Sequence, residues 1–166
     1  MARTAVNPKV ISTNAPLGVP LRKMRAADSK TWKAGEFCEL SSGTVQPLAA
    51  ATASGIYGIF AEAQATSTSS SDVWVRVLQD GEELEMYVIA TATPTAIATS
   101  NIGVAYGAIT ASNVCYLDLD TGTGQFEVVD KASNKMPERS SYDGDLDGDT
   151  GTTAGLAIVK FRKKVS

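Results

Sequence analysis

The sequence predicts a mainly β protein: a small antiparallel barrel or sandwich carrying an extended N-terminal arm. Three observations predict it. Short runs of β-branched and aromatic residues alternate with turns rich in Gly, Ser and Asp, spaced roughly every 8–15 residues. No segment longer than about 12 residues has a helical period. The first 33 residues hold Arg3, Lys9, Arg22, Lys23, Arg25, Lys30 and Lys33 against a single acid, Asp28, and are interrupted by Pro8, Pro16 and Pro20. Each proline drives the preceding residue toward extended geometry and removes a backbone donor.

The expected division is therefore a basic arm over 1–33 and a β-rich domain over 34–166. Val6, Val10, Ile11, Leu17, Val19 and Leu21 are more apolar than a solvated tail requires, which suits an arm lying in a partner's groove. Residues 20–28 are read as a short helical turn. Ala34-Gly35 turns into a strand over 36–40, and Ser41-Ser42-Gly43 returns it through Thr44–Leu48 as a hairpin, with Pro47 placing that strand at an edge or an end. Gly55–Phe60 is a compact apolar strand, and Thr66–Ser71 is a loop by composition. Val73, Val75 and Val77 alternate with Trp74, Arg76 and Leu78, and Asp80-Gly81 turns the chain back through Leu84–Ala90. Residues 91–101 carry no usable pattern. Val114–Leu119 and Gln125–Val129 flank Asp120–Gly124, a hairpin signal, and Leu156–Arg162 is the last of about eight strands.

Charge is segregated along the chain. Positions 34–149 hold seventeen of the 18 acids but only Arg76, Lys131, Lys135 and Arg139 as cations, and Lys160, Arg162, Lys163 and Lys164 make the end basic again. Both ends are thus drawn to acidic surfaces. The candidate partner-binding residues are Arg3, Lys9, Val10, Ile11, Arg22, Lys23, Arg25, Lys163 and Lys164. Nucleic acid is not the expected partner, because the arm lacks dense cations with interleaved aromatics and the acidic body repels phosphate. No apolar stretch approaches the roughly 18 residues that span a membrane, and the start MARTAVNPKV has no hydrophobic signal core, so cytosolic synthesis is expected. Cys38 and Cys115 sit in strand-like runs without a CxxC pair and read as buried free thiols.

Histidine is absent, which removes Ser-His-Asp and Cys-His catalysis and the usual zinc hydrolase sites. Paired-carboxylate chemistry survives in principle, but the acids cluster in turn-like segments such as Asp80-Gly81-Glu82-Glu83. No enzymatic activity and no cofactor are expected. Asp143, Asp145, Asp147 and Asp149 have the spacing of the front half of an EF-hand-type loop and form a weak calcium candidate, although Ala154 stands where the bidentate Glu belongs. Ordinary solvated Asp-Gly turns explain the same spacing.

The stretch Ser29–Phe37, then Leu40-Ser41-Ser42-Gly43-Thr44-Val45-Gln46-Pro47, Gly55-Ile56-Tyr57-Gly58-Ile59-Phe60-Ala61 and the closing Gly155–Phe161 resemble the head decoration (cement) proteins of tailed bacteriophages. The resemblance covers about half of the body. It implies a β-tulip-like or barrel domain on the outer surface of a capsid, tying neighbouring major capsid proteins together. It also implies a homo-oligomer, a trimer ahead of a dimer, made in the host cytoplasm. A β-sandwich binding module for carbohydrate or calcium, displayed on a virion or cell surface, is the alternative. Its exposed aromatics would be Trp74, Tyr87 and Tyr106, although Trp74 on an alternating strand is expected in the core.

Overall fold

A computed structural model describes residues 5–12, 20–52, 54–68, 71–135, 145–149 and 154–163. In chain order the strands are β1 (Lys9–Ser12), β2 (Leu21–Arg25), β3 (Phe37–Ser41), β4 (Thr44–Pro47), β5 (Ile56–Phe60) and β6 (Asp72–Val77). They continue as β7 (Glu83–Ala90), β8 (Thr93–Pro94), β9 (Ala105–Ala111), β10 (Val114–Gly122), β11 (Phe126–Lys131) and β12 (Leu156–Phe161). A 3-10 turn spans Thr99–Asn101, and a short helix, α1, spans Ala132–Lys135.

The strands form two sheets. The smaller runs β2-β6-β5-β3-β4, and its outer strands meet where Ala26 bridges Val45. The larger runs β1-β7-β10-β9-β11-β12, with β8 attached to β7. β12 pairs along Glu83–Tyr87 of β7, while β10 pairs with Val88 and Ile89, so the path leaving β7 through β10, β9, β11 and β12 returns to β7.

Alternation along the strands places the core. Phe37 and Ile59 from the smaller sheet, with Leu78 just beyond β6, meet Leu84, Met86, Leu117, Phe126 and Phe161 from the larger one. Phe37 and Phe126 stack at 5.1 Å between ring centroids, and Phe126 meets Phe161 at 5.6 Å. The other face of the smaller sheet encloses Trp32, Cys38, Val45, Phe60, Val73 and Val75. There Trp32 stacks on Phe60 at 4.3 Å and donates its indole N–H to the Glu62 carbonyl at 2.9 Å. A third cluster gathers Tyr87, Ala132, Leu146, Ala154, Leu156 and Ile158. Each fully buried large side chain of this kind contributes roughly 1.5–3 kcal/mol of transfer free energy.

Four sequence expectations change. The leader, read as an extended arm for a partner's groove, contributes a strand to each sheet of the body. Lys9 and Val10 pair with Glu85 and Leu84 of β7, and the Asn7 side-chain oxygen accepts the Cys115 N–H of β10 at 2.9 Å. β1 thus fills the seam where β7 and β10 part, with Val10 packed on the main core. Residues 21–25 are a strand and not a helical turn, because Met24 packs beside the buried Val73–Val75 face while its neighbours stay exposed.

The Asp80-Gly81 turn does not make a hairpin. It carries the chain from β6 in one sheet to β7 in the other, and Leu78 and Glu82 on either side of it are buried. Nor do β10 and β11 pair with each other. β10 folds back on β9 through Ser112 and Asn113, both at positive φ (51° and 62°), a two-residue turn whose twist suits a hairpin. Gly124 then passes so close to Tyr106 that a Cβ there would lie 2.0 Å from backbone atoms, and β11 emerges on the far side of β9.

Candidate attachment surface

β2 is a terminal strand of the smaller sheet and the most basic one, LRKMR. It runs antiparallel to β6 with Leu21 opposite Arg76, Lys23 opposite Trp74 and Arg25 opposite Asp72. Val77 N–H donates to the Pro20 carbonyl and Ala26 N–H donates to the Ser71 carbonyl, both at 2.9 Å. Hydrogen-bonded positions alternate in an antiparallel ladder. The even-numbered residues of β2 therefore face β6, and the backbone N–H and C=O groups of Leu21 and Lys23 point to the strand's outer edge.

The side chains follow from the same alternation. Val73, Val75 and Val77 are buried on one face of β6, which leaves Asp72, Trp74 and Arg76 on the other. Trp74, expected in the core, is 45% exposed, and Leu21, diagonal to it across the pair, is 53% exposed. Lys23 Nζ lies 3.3 Å from the Asp72 carboxylate, an exposed pair of little energetic weight. On the opposite face Arg22 Nη1 donates to the Tyr57 hydroxyl at 3.5 Å. Tyr57 also lines a shallow apolar pocket with Ile56, Val77, Leu78 and Phe161, and the exposed Lys163 closes its rim. Lys163 is held there by its backbone N–H, which donates to Asp80 Oδ1 at 2.9 Å. Cations more than a hundred residues apart in sequence thus share a neighbour.

Beneath this surface lies a charged pair that the sequence reading missed. The guanidinium of Arg76 grips the fully buried Glu82 with two bonds of 2.7 and 3.1 Å, and Gln79 N–H donates to the same carboxylate at 3.0 Å. The pair fixes the crossing from β6 to β7.

The remaining candidates are scattered. Lys9 is exposed, Ile11 is 37% exposed, and Val10 is half-buried against the main core. Arg3 and Lys164 lie outside the described residues. So does Asp143. Of the other aspartates, Asp147 binds Lys131 Nζ and Ser133 Oγ at 2.6 Å each, and Asp145 Oδ1 accepts the Gly148 N–H at 2.9 Å. Among the described residues no three His, Cys, Asp or Glu side chains are grouped as metal ligands.

Cys38 and Cys115 are free and buried, as the sequence suggests. Burial pushes the Cys38 thiol up to about 12 and the Cys115 thiol up to about 11, against smaller opposing hydrogen bonds. Among the described residues no helix is long and apolar enough to cross a membrane. No protein-family model matches this chain, and no curated protein matches it.

Proposed function

We propose that this chain is a structural, non-enzymatic capsid decoration (cement) protein. It binds the outer surface of a phage head and holds neighbouring major capsid proteins together. The observation that carries the reading is the gathering of cations from both ends of an otherwise acidic chain onto one exposed rim. There Arg22 and Lys163 lie beside Tyr57 on one face of the smaller sheet's terminal strand, and Lys23 and Arg25 stand on its other face. Such a rim suits an acidic protein surface.

The strand path that returns to β7 supports a small barrel of β-tulip-like form. A homo-oligomer, a trimer ahead of a dimer, suits the role, because repeated modest contacts raise effective concentration around a shell. Tyr87 and Tyr106 are buried, which leaves Trp74 alone of the three aromatics that a carbohydrate platform would need.

Electron-microscopic imaging of particles assembled with and without this chain tests the reading. Added density on the outer face, spanning adjacent shell subunits, is expected. Particles with identical surfaces, or a purified protein that ignores shells, would overturn it.

A further inference from the structure

We propose that the outer edge of β2 accepts an extended acidic segment of a foreign protein as an added strand, anchored by Trp74 and Leu21. The inference rests on the decoration reading and names the chemistry of its contact. Leu21 and Lys23 direct their backbone donors and acceptors outward from the end of the smaller sheet. Such an edge is a template for another strand. On the adjoining face Trp74 and Leu21 supply half-exposed apolar area next to Lys23, the pattern of an interface anchor inside a charged rim.

Charge decides the occupant. The edge could in principle pair with its own copy about a two-fold axis. However, every antiparallel register that pairs three or more residues of LRKMR with themselves sets two cations directly opposite each other. Lys23 meets Lys23, Arg22 meets Lys23, Arg22 meets Arg22 or Arg25, or Lys23 meets Arg25. Like charges in directly opposed positions destabilise strand pairing. A segment that sets Asp or Glu opposite Arg22 and Lys23 and an apolar residue opposite Leu21 turns the same cations into favourable cross-strand partners and extends the apolar patch of Leu21 and Trp74.

Shells lacking this chain serve as the probe, with occupancy measured by co-sedimentation. Lys23→Pro removes an outward N–H without breaking the ladder to β6. Trp74→Ser removes the anchor, and Arg22→Glu/Lys23→Glu reverses the charge; circular dichroism checks the fold of each. Occupancy is expected to fall about tenfold or more for all three. In hydrogen exchange of the wild-type protein, the Leu21 and Lys23 amides are expected to slow on shells. If the wild-type protein binds shells and all three folded variants bind equally well, the edge is not the contact and the proposal fails. If the variants instead dissociate a solution oligomer, the edge belongs to a second copy, which also overturns it. Failure of the wild-type protein to bind shells overturns the decoration reading itself.

Discussion

Replacing Arg76 by Met removes one half of the ion pair at the sheet crossing. Glu82 is fully buried, and the Arg76 side chain is only 13% exposed. The change strands a buried carboxylate, to which the Gln79 N–H still donates. Breaking a buried pair from one side costs about 3–5 kcal/mol, and the surviving bond favours the lower end, about 3 kcal/mol. For a chain of this size that lowers the melting temperature by roughly 6–12 °C. Urea unfolding followed by tryptophan fluorescence measures the loss directly, with an unchanged slope if the denatured state is the same. The double variant Arg76→Met/Glu82→Gln neutralises the stranded charge, keeps the Gln79 bond, and is expected to recover at least half of the loss. A single-variant loss below about 1 kcal/mol, or strict additivity in the double variant, would refute the assignment of this pair as a clasp between the sheets.

Three further outcomes are expected. Burial holds the Glu36 carboxyl above its ordinary value, against the smaller opposing influence of the Lys33 N–H and charge. A raised folded-state value means that the native state binds the proton more tightly, so this residue's contribution falls as pH rises from the ordinary carboxylate range through the folded value. Glu36→Gln should therefore raise stability at neutral pH and flatten that slope in pH-dependent urea titrations; an unchanged slope contradicts the assignment. Cys38 and Cys115 should resist iodoacetamide at pH 8 in the native protein and react once it is unfolded in urea, as read by mass spectrometry. Deleting residues 1–12 should destabilise the body, because it removes β1 and the Asn7 bond to Cys115. A truncated protein with an unaltered unfolding midpoint would show the seam to be self-sufficient.

Local grammar was readable in the residues. Ser41-Ser42-Gly43 sets the β3–β4 hairpin, the three alternating valines set the buried face of β6, and the closing Leu156–Phe161 run is a strand. Partner choice was not readable. Asp120–Gly124 has the composition of a hairpin turn, yet β10 and β11 lie on opposite sides of β9, a decision made by Gly124 passing over Tyr106. The leader looked detachable because its prolines and cations hide two four- to five-residue strands whose only strong apolar contacts are Val10 and Met24. Part of the candidate surface could be found from charge alone, namely Arg22, Lys23, Arg25 and Lys163. Trp74 was misjudged although the valine alternation already assigned it to the other face. What the pattern could not reveal is that this face leaves the shared core between β5 and β2, so that Ile59 is covered and Trp74 is not.

The two sheets do not alternate along the chain. Every strand of the smaller sheet falls within residues 21–77, after β1 and before β7, both of which belong to the larger sheet. In effect the gene inserts one uninterrupted cassette between the first and second strands of a host scaffold. A lineage could exchange that cassette in a single recombination event, provided the newcomer again laid apolar side chains where Phe37 and Ile59 now cover Phe126 and Phe161.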